Sequence, residues 1–382
     1  MKRRLLTPGP TPVPEETLLE LAKPVVYHRT PEFRQLHAEV MEDLQYVFRT
    51  KQPVLTLTCS GTGAMEAAIA NCLPPKAKAI CLIAGRFGER WRNLCKAFGV
   101  EAINVTVPPG VSVTTEQLDR ALATHPDAAA VCCTLSETST GAGHDVASFG
   151  RLVKETGALL LVDAISALGA MECQVDDWHI DVCVTGSQKA LMLPPGLAFI
   201  SLSPKAWNQV QSNPAPHAFY FDLKKARSKL ETFDTAFTPA HTLMAALRVS
   251  LKRIRAEGIE QIWERNRRTA RAARAGFQAM GLELFAKQPA EGLTVAKVPE
   301  GIDGGVLLAK LEKQYGFKLA GGQDALRGKI IRLAHMGHID AFDVLGALAA
   351  IELVLLELGH PLEPGRSLIA AQKVLSQTVK AS

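Results

Sequence analysis

Residues 159–196 read LLLVDAISALGAMECQVDDWHIDVCVTGSQKALMLPPG, two apolar runs that each stop abruptly in polar residues. The first, Leu159 to Val162, ends at Asp163. The second, Val182 to Thr185, runs into Gly186-Ser187-Gln188-Lys189 and is closed by Pro194-Pro195-Gly196. Short continuous apolar runs bounded by turn residues fit strands buried on both faces, which belong to parallel sheets covered by helices. Such sheets hold ligands at the carboxyl ends of their strands, so Asp163 and Lys189 are expected at one ligand-binding edge.

An acid and an amine at that edge define a chemistry. A lysine amine forms a Schiff base with an aldehyde, and a carboxylate against a pyridine nitrogen keeps that nitrogen protonated. Together these are the needs of pyridoxal phosphate, whose ring acts as an electron sink. Taken singly, Lys189 also reads as a solvated loop lysine and Asp163 as a helix cap. Their shared sheet edge, within Asp-Ala-Ile-Ser and Ser-Gln-Lys-Ala segments, favours the cofactor reading.

Outward from this stretch, short apolar runs alternate with helical spacing. VLTLT from Val54 precedes a helix from about Thr62, AICLIA one from about Phe87, and AAAVCCT one from about Asp145. Repeated strand and helix units imply a largely parallel sheet with helices on both faces. Phe33, Leu36, Val40, Leu44 and Val47 recur at helical spacing after Pro31, which suits a first helical turn. Leu5 to Pro14 is proline-rich and reads as an extended arm of the kind that crosses to a partner subunit. Ala245 to Gly281 reads as two helices broken near Gly258. LTVAKV, a helix around Val306 to Gln314, the strand KIIRLA and a helix from Asp340 then make a smaller α/β unit. The expected organisation is an arm over 1–20, a large domain over 21–257 and a small domain over 258–382.

VDAISALG, TGSQKALMLPPG, the opening LLTPGPTPVP and the late IIRLAHMGH together resemble the class V aminotransferases, in particular the alanine:glyoxylate and serine:pyruvate group. The resemblance covers nearly the whole chain. It implies a fold type I α/β transferase, with a mostly parallel seven-stranded sheet in the large domain and a smaller C-terminal α/β domain. It implies a homodimer and pyridoxal 5′-phosphate held on Lys189, the catalytic base. The implied reaction moves an amino group from an alanine- or serine-type donor to a glyoxylate- or pyruvate-type acceptor. A desulfurase or carbon lyase of the same fold, or a noncatalytic binding protein, are the alternatives. A desulfurase needs a mobile cysteine, and Cys173 stands in a possible loop.

The motifs match residue by residue. Ser60-Gly61-Thr62, between a strand and a helix, corresponds to the family's phosphate turn, and a helix N-terminus suits an anion. Phe87 stands where the family covers the pyridine ring, often with tryptophan. Thr138, in Ser136-Glu137-Thr138-Ser139-Thr140-Gly141, carries over as a hydroxyl contact, with Glu137 orienting the loop. Gln188 is expected on cofactor oxygens. Thr238 matches a residue that reaches the phosphate across the dimer interface, although the tyrosine usual three residues earlier is Thr235 here. Arg332, the one arginine inside KIIRLA, matches the arginine that grips the substrate carboxylate with a planar fork. Gly9 matches a substrate contact, and His28-Arg29 a wall of the site.

Composition bounds the alternatives. A formal charge of +5, with 21% charged residues, is too mild to argue for nucleic acid or a membrane surface. Between Arg248 and Arg274, nine arginines or lysines face three glutamates, but Trp263 is the one aromatic residue among them, too few for the interleaved pattern of a nucleic-acid surface. Neither G-x-G-x-x-G after a strand nor a P-loop occurs. The eight cysteines show no C-x-x-C spacing, so they read as reduced core residues of a cytoplasmic protein, and no metal site is expected. No stretch is apolar and long enough for a signal peptide or a transmembrane span.

Overall fold

The computed structural model describes residues 2–213 and 218–377. Seven strands form the central sheet: β1 (Val54–Leu57), β2 (Lys78–Ile83), β3 (Glu101–Thr106), β4 (Ala130–Thr134), β5 (Leu159–Asp163), β6 (Val182–Gly186) and β7 (Ala198–Leu202). Their spatial order is β1-β7-β6-β5-β4-β2-β3. Only β7 in this sheet is antiparallel to its neighbours, and the other pairings are parallel.

Strands β4 to β7 are buried along their whole length, which is why their sequences run apolar without alternation. Successive side chains leave a strand on opposite faces. Val131, Cys133, Leu160 and Val162 accordingly join one core, with Phe33, Val40 and Leu44 of α1 (Pro31–Phe48). Cys132, Leu159 and Leu161 join the other, with Ala64 and Met65 of α2 (Gly61–Cys72) and Trp91 of α3 (Arg86–Ala97). Strand β3 carries no apolar run because it is a half-exposed edge.

Helices α4 (His241–Glu257) and α5 (Ile259–Ala279) are separated at Gly258, whose φ of +89° favours glycine. Seven of the nine basic residues there form ion pairs, mostly with Glu16, Glu39, Glu42, Asp43, Glu257, Glu264 and Glu291. Arg274 instead donates to the carbonyls of Pro289 and Ala290. The local cationic excess is thus largely neutralised by carboxylates of the same chain.

A third core gathers residues from α5 onward around strands β8 (Leu293–Lys297), β9 (Ala320–Gly321) and β10 (Ile330–Ala334), which lie antiparallel in the order β8-β10-β9. Helix α6 (Ala341–Glu357) begins with a reciprocal cap between Asp340 and Asp343. The start of the arm docks here, on its own chain: Arg4–Leu5 pairs in parallel with Phe317–Lys318, and Leu6 is buried in this core. Among the described residues, no helix is long and apolar enough to cross a membrane.

Candidate active site

The carboxyl ends of β5 and β6 bring Asp163 and Lys189 to one cavity of about 190 Å3. Its wall also includes Ser60, Gly61, Thr62, Phe87, Thr138 and Gln188. Eight of the eleven residues expected at the site therefore meet in one place, and Gly9, Arg332 and Thr238 are not among the residues of its wall. Each of the eight is set there by the turn that follows a strand.

Ser60 precedes α2 in an extended conformation, yet its side chain makes no capping hydrogen bond. The hydroxyl and the first N–H groups of the helix are left available to an anion at the positive end of the helix dipole. At Gly61 a Cβ would come within 2.5 Å of Ile165 Cδ1, so a side chain here would force Ile165, on the cavity wall, to move. Phe87 enters at the first turn of α3, which Glu137 pins. The buried carboxylate of Glu137 accepts from Phe87 N and Gly88 N, both at 3.0 Å, and from Ser139 Oγ at 2.5 Å. Burial raises the pKa of Glu137 while these donors oppose the rise.

Asp163 accepts from Ile165 N at 2.8 Å through Oδ1. Burial raises its carboxyl to about 6, against the pull of that hydrogen bond and of Arg90. Burial likewise lowers the Lys189 ammonium to about 8; Asp163 opposes the shift, and Arg332 and Arg90 add to it. A lysine near 8 supplies a far larger fraction of free amine at neutral pH than one near 10.5.

The arm holds the lysine turn. Thr11 donates from N to Gln188 O at 3.1 Å and from Oγ1 to Lys189 O at 2.7 Å. Lys189 Nζ donates to Pro8 O. A Cβ on Gly9 would lie 2.1 Å from Lys189 Nζ, and Gly9 has φ of +131°. Gly9 thus packs against the amine itself, where a side chain has no room.

Arg332, buried on β10, donates Nε–H to Gly321 O at 2.8 Å and Nη1–H to Thr138 O at 3.0 Å. Burial lowers its pKa, and Glu137 opposes that. Ser166 Oγ donates to Ser136 O at 3.2 Å and accepts from Thr138 Oγ1 at 2.5 Å. Thr238 is not in this cavity. It lines a separate hollow with Thr58, Tyr220, Asp234 and Phe237. Arg29 bonds Asp234 and the carbonyl of Thr235, so the His28-Arg29 segment joins that same region. Cys173 is fully buried, not the mobile loop cysteine of a desulfurase.

Sequence reasoning missed Arg90, Ser136, Ile165 and Ser166, all on the cavity wall. A signal for Arg90 was its i+3 spacing from Phe87, which puts both on one helix face. Ser166 stands three residues beyond Asp163 in a segment already singled out.

A family model described as aminotransferase class-V matches residues 9–336. The chain belongs to the class-V aminotransferases. As a member it is a pyridoxal phosphate-dependent transaminase of fold type I. The class-V chain is similar over its whole length to proteins with differing names. It is 33% identical over 386 residues to an L-aspartate–glyoxylate aminotransferase of Paracoccus denitrificans, covering 99% of this chain and 97% of that one. It is 40% identical over 380 residues to a Synechococcus protein named as the small subunit of a soluble hydrogenase, covering 98% and 99%. The crystal structure of a ureidoglycine–glyoxylate aminotransferase from Bacillus subtilis superposes with a TM-score of 0.94 at 30% identity, covering 99% of each chain.

The donor set fits the cofactor of this class-V enzyme. The uncapped Ser60 offers a phosphate contact, and Gln188 Oε1 is buried without a partner. Asp163 and Lys189 supply the carboxylate and amine that the pyridine nitrogen and the aldehyde require.

Proposed function

We propose that the chain transfers an amino group from a small amino acid of the alanine or serine type to a small 2-oxo acid of the glyoxylate or pyruvate type. The observation that carries this reading is the placement of Lys189 and Asp163 on one cavity, with Arg332 tied to Thr138 on its wall. Relatives named for glyoxylate as acceptor support the acceptor class.

In this reading Ser60, Gly61 and Thr62 hold the phosphate, Phe87 covers one face of the ring and excludes water, and Thr138 and Gln188 contact cofactor oxygens. Asp163 keeps the pyridine nitrogen protonated. Bound there, pyridoxal phosphate supplies the electron sink that makes the substrate Cα proton acidic. Arg332 grips the α-carboxylate, and Lys189, freed from its link to the aldehyde carbon, carries the proton between Cα and that carbon. One site serves both half-reactions because donor and acceptor share the carboxylate and the Cα position.

The functional unit in this proposal is a homodimer. Tyr27, Phe219 and Tyr220 are exposed large side chains, and Tyr220 stacks on Phe237 at 5.1 Å beside Thr238. Such an exposed aromatic patch fits a second copy of this chain, from which Thr238 would reach the partner's phosphate. The division into an arm at 1–20, a large domain at 21–257 and a small domain at 258–382 is supported by the third core. Eight free cysteines suit a reducing compartment, the cytoplasm. The hydrogenase-named relative raises no second reading from this cavity, whose wall offers an amine, a carboxylate and hydroxyls instead of a thiolate set.

A screen of amino donors against 2-oxo acids on the purified protein tests the proposal. Turnover is expected with alanine or serine and with glyoxylate or pyruvate. Release of sulfide from cysteine without amino transfer would contradict it.

A further inference from the structure

Helix α3 begins with four charged residues in its first seven, and three of them have partners. Arg86 pairs with Asp324 at 2.6 Å, and Glu89 with Arg92 at 3.7 Å. Arg90 pairs with no carboxylate among the described residues. It lines the same cavity as Asp163 and Lys189, and its guanidinium carbon lies 4.8 Å from the centroid of the Phe87 ring. A half-buried arginine without a counter-ion is costly unless its charge has a use.

We propose that Arg90 is a positioning residue of the transamination site: stacked on Phe87, it steadies the ring that covers the cofactor and supplies a fixed positive charge to the wall shared by Asp163 and Lys189. The stacking geometry serves the first role, since a cation on an aromatic face restrains both groups. The second follows from the surrounding charges. Asp163 from β5 and Lys189 from the turn after β6 line the cavity, while Glu137 from the loop after β4 is buried behind the Phe87 backbone and Arg332 from β10 is bonded to Thr138 of the wall. Below them the Cys133 thiol is held protonated by burial. Arg90 favours the carboxylate form of Asp163 and the neutral form of Lys189. Both are the forms that the reaction uses.

The inference rests on the cofactor site proposed above, and its test reads the bound cofactor without turnover. The visible absorbance band of the holoprotein is titrated against pH, without substrate, for wild type, Arg90→Lys and Arg90→Met, with Arg90→Gln as a second neutral variant should Arg90→Met fail to fold. Removing a positive charge makes a nearby nitrogen more basic, so the neutral variant should titrate higher by on the order of one pH unit. Arg90→Lys should stay close to wild type. A purely structural role would lower thermal stability and leave the midpoint in place. A neutral, folded variant whose titration superposes on wild type overturns the inference. A wild-type protein that shows the band but moves no amino group between small acids would overturn the proposed function instead, and the effect of Arg90 would still be read.

Discussion

Arg332 donates an Nη1–H to the carbonyl oxygen of Thr138 at 3.0 Å, so the strand that carries the substrate grip is bonded to the loop that carries a cofactor contact. The guanidinium is oriented by this bond and by Gly321 O at 2.8 Å. Replacing a planar fork by a point charge loses that orientation. Arg332→Ala, which removes the fork and the charge together, is expected to lower kcat/KM for both amino donor and 2-oxo acceptor by at least about thirtyfold, the low end of the cost of truncating one partner of a buried charge pair. Single-turnover kinetics of each half-reaction would check this. Impairment of only one half would assign Arg332 another role.

In the proposed reaction Asp163 holds the pyridine nitrogen protonated. Asp163→Asn removes that charge and should slow turnover by about a hundredfold or more. Retention of the cofactor by dialysis should suffer less, because Ser60, Gly61 and Thr62 are untouched. Near-normal turnover would refute the role.

Ser60 occupies a capping position without capping. A working serine cap contributes about 1 kcal/mol of stability, and Ser60→Ala should cost the apoprotein well under that. If the hydroxyl serves the phosphate, the same change should weaken pyridoxal phosphate binding about tenfold, the value of one hydrogen bond to a charged group. Calorimetry and fluorescence titration separate the two effects.

Lys189, lowered by burial to about 8, is an ammonium below that pH and a nucleophilic amine above it. The rate at which apoprotein captures pyridoxal phosphate should therefore rise with pH and level off just above 8. A rate still climbing towards pH 10 would show an ordinary lysine.

His335 is buried with Nε2 at 3.0 Å from Thr294 Oγ1, and burial, with Arg274 adding to it, lowers its pKa to about 3. Between its unfolded value of 6.5 and that folded value, the unfolded chain binds one more proton, so stability falls on acidification by about 1.4 kcal/mol per pH unit. His335→Gln should flatten the pH dependence of urea unfolding below pH ~6. Asp163, whose raised pKa acts in the opposite sense, is common to both proteins and cancels in the comparison.

Much of the site was legible because its residues stand next to strand ends, and buried strands announce themselves as apolar runs. Asp163 and Lys189 were readable for that reason, as were the turns at Ser60 and Thr138. The edge strand β3 was not, because half of its residues face solvent and no apolar run marks it. Arg90 and Ser166 escaped because their roles arise from contacts across elements, with Phe87 on one side and Thr138 on the other. The arm was readable as extended but not in its docking, since Leu6 meets its core partners some three hundred residues later in the chain. The basic stretch of α4 and α5 was visible in composition, whereas its neutralisation depends on carboxylates from α1 and the preceding segment.

The central claim is that Lys189 holds the cofactor. Borohydride reduction of the purified holoprotein, followed by peptide mapping, tests it most directly. The account predicts a phosphopyridoxyl group on Lys189 and none in a folded Lys189→Ala variant. A label on any other lysine, or cofactor still fixed in Lys189→Ala, would contradict it.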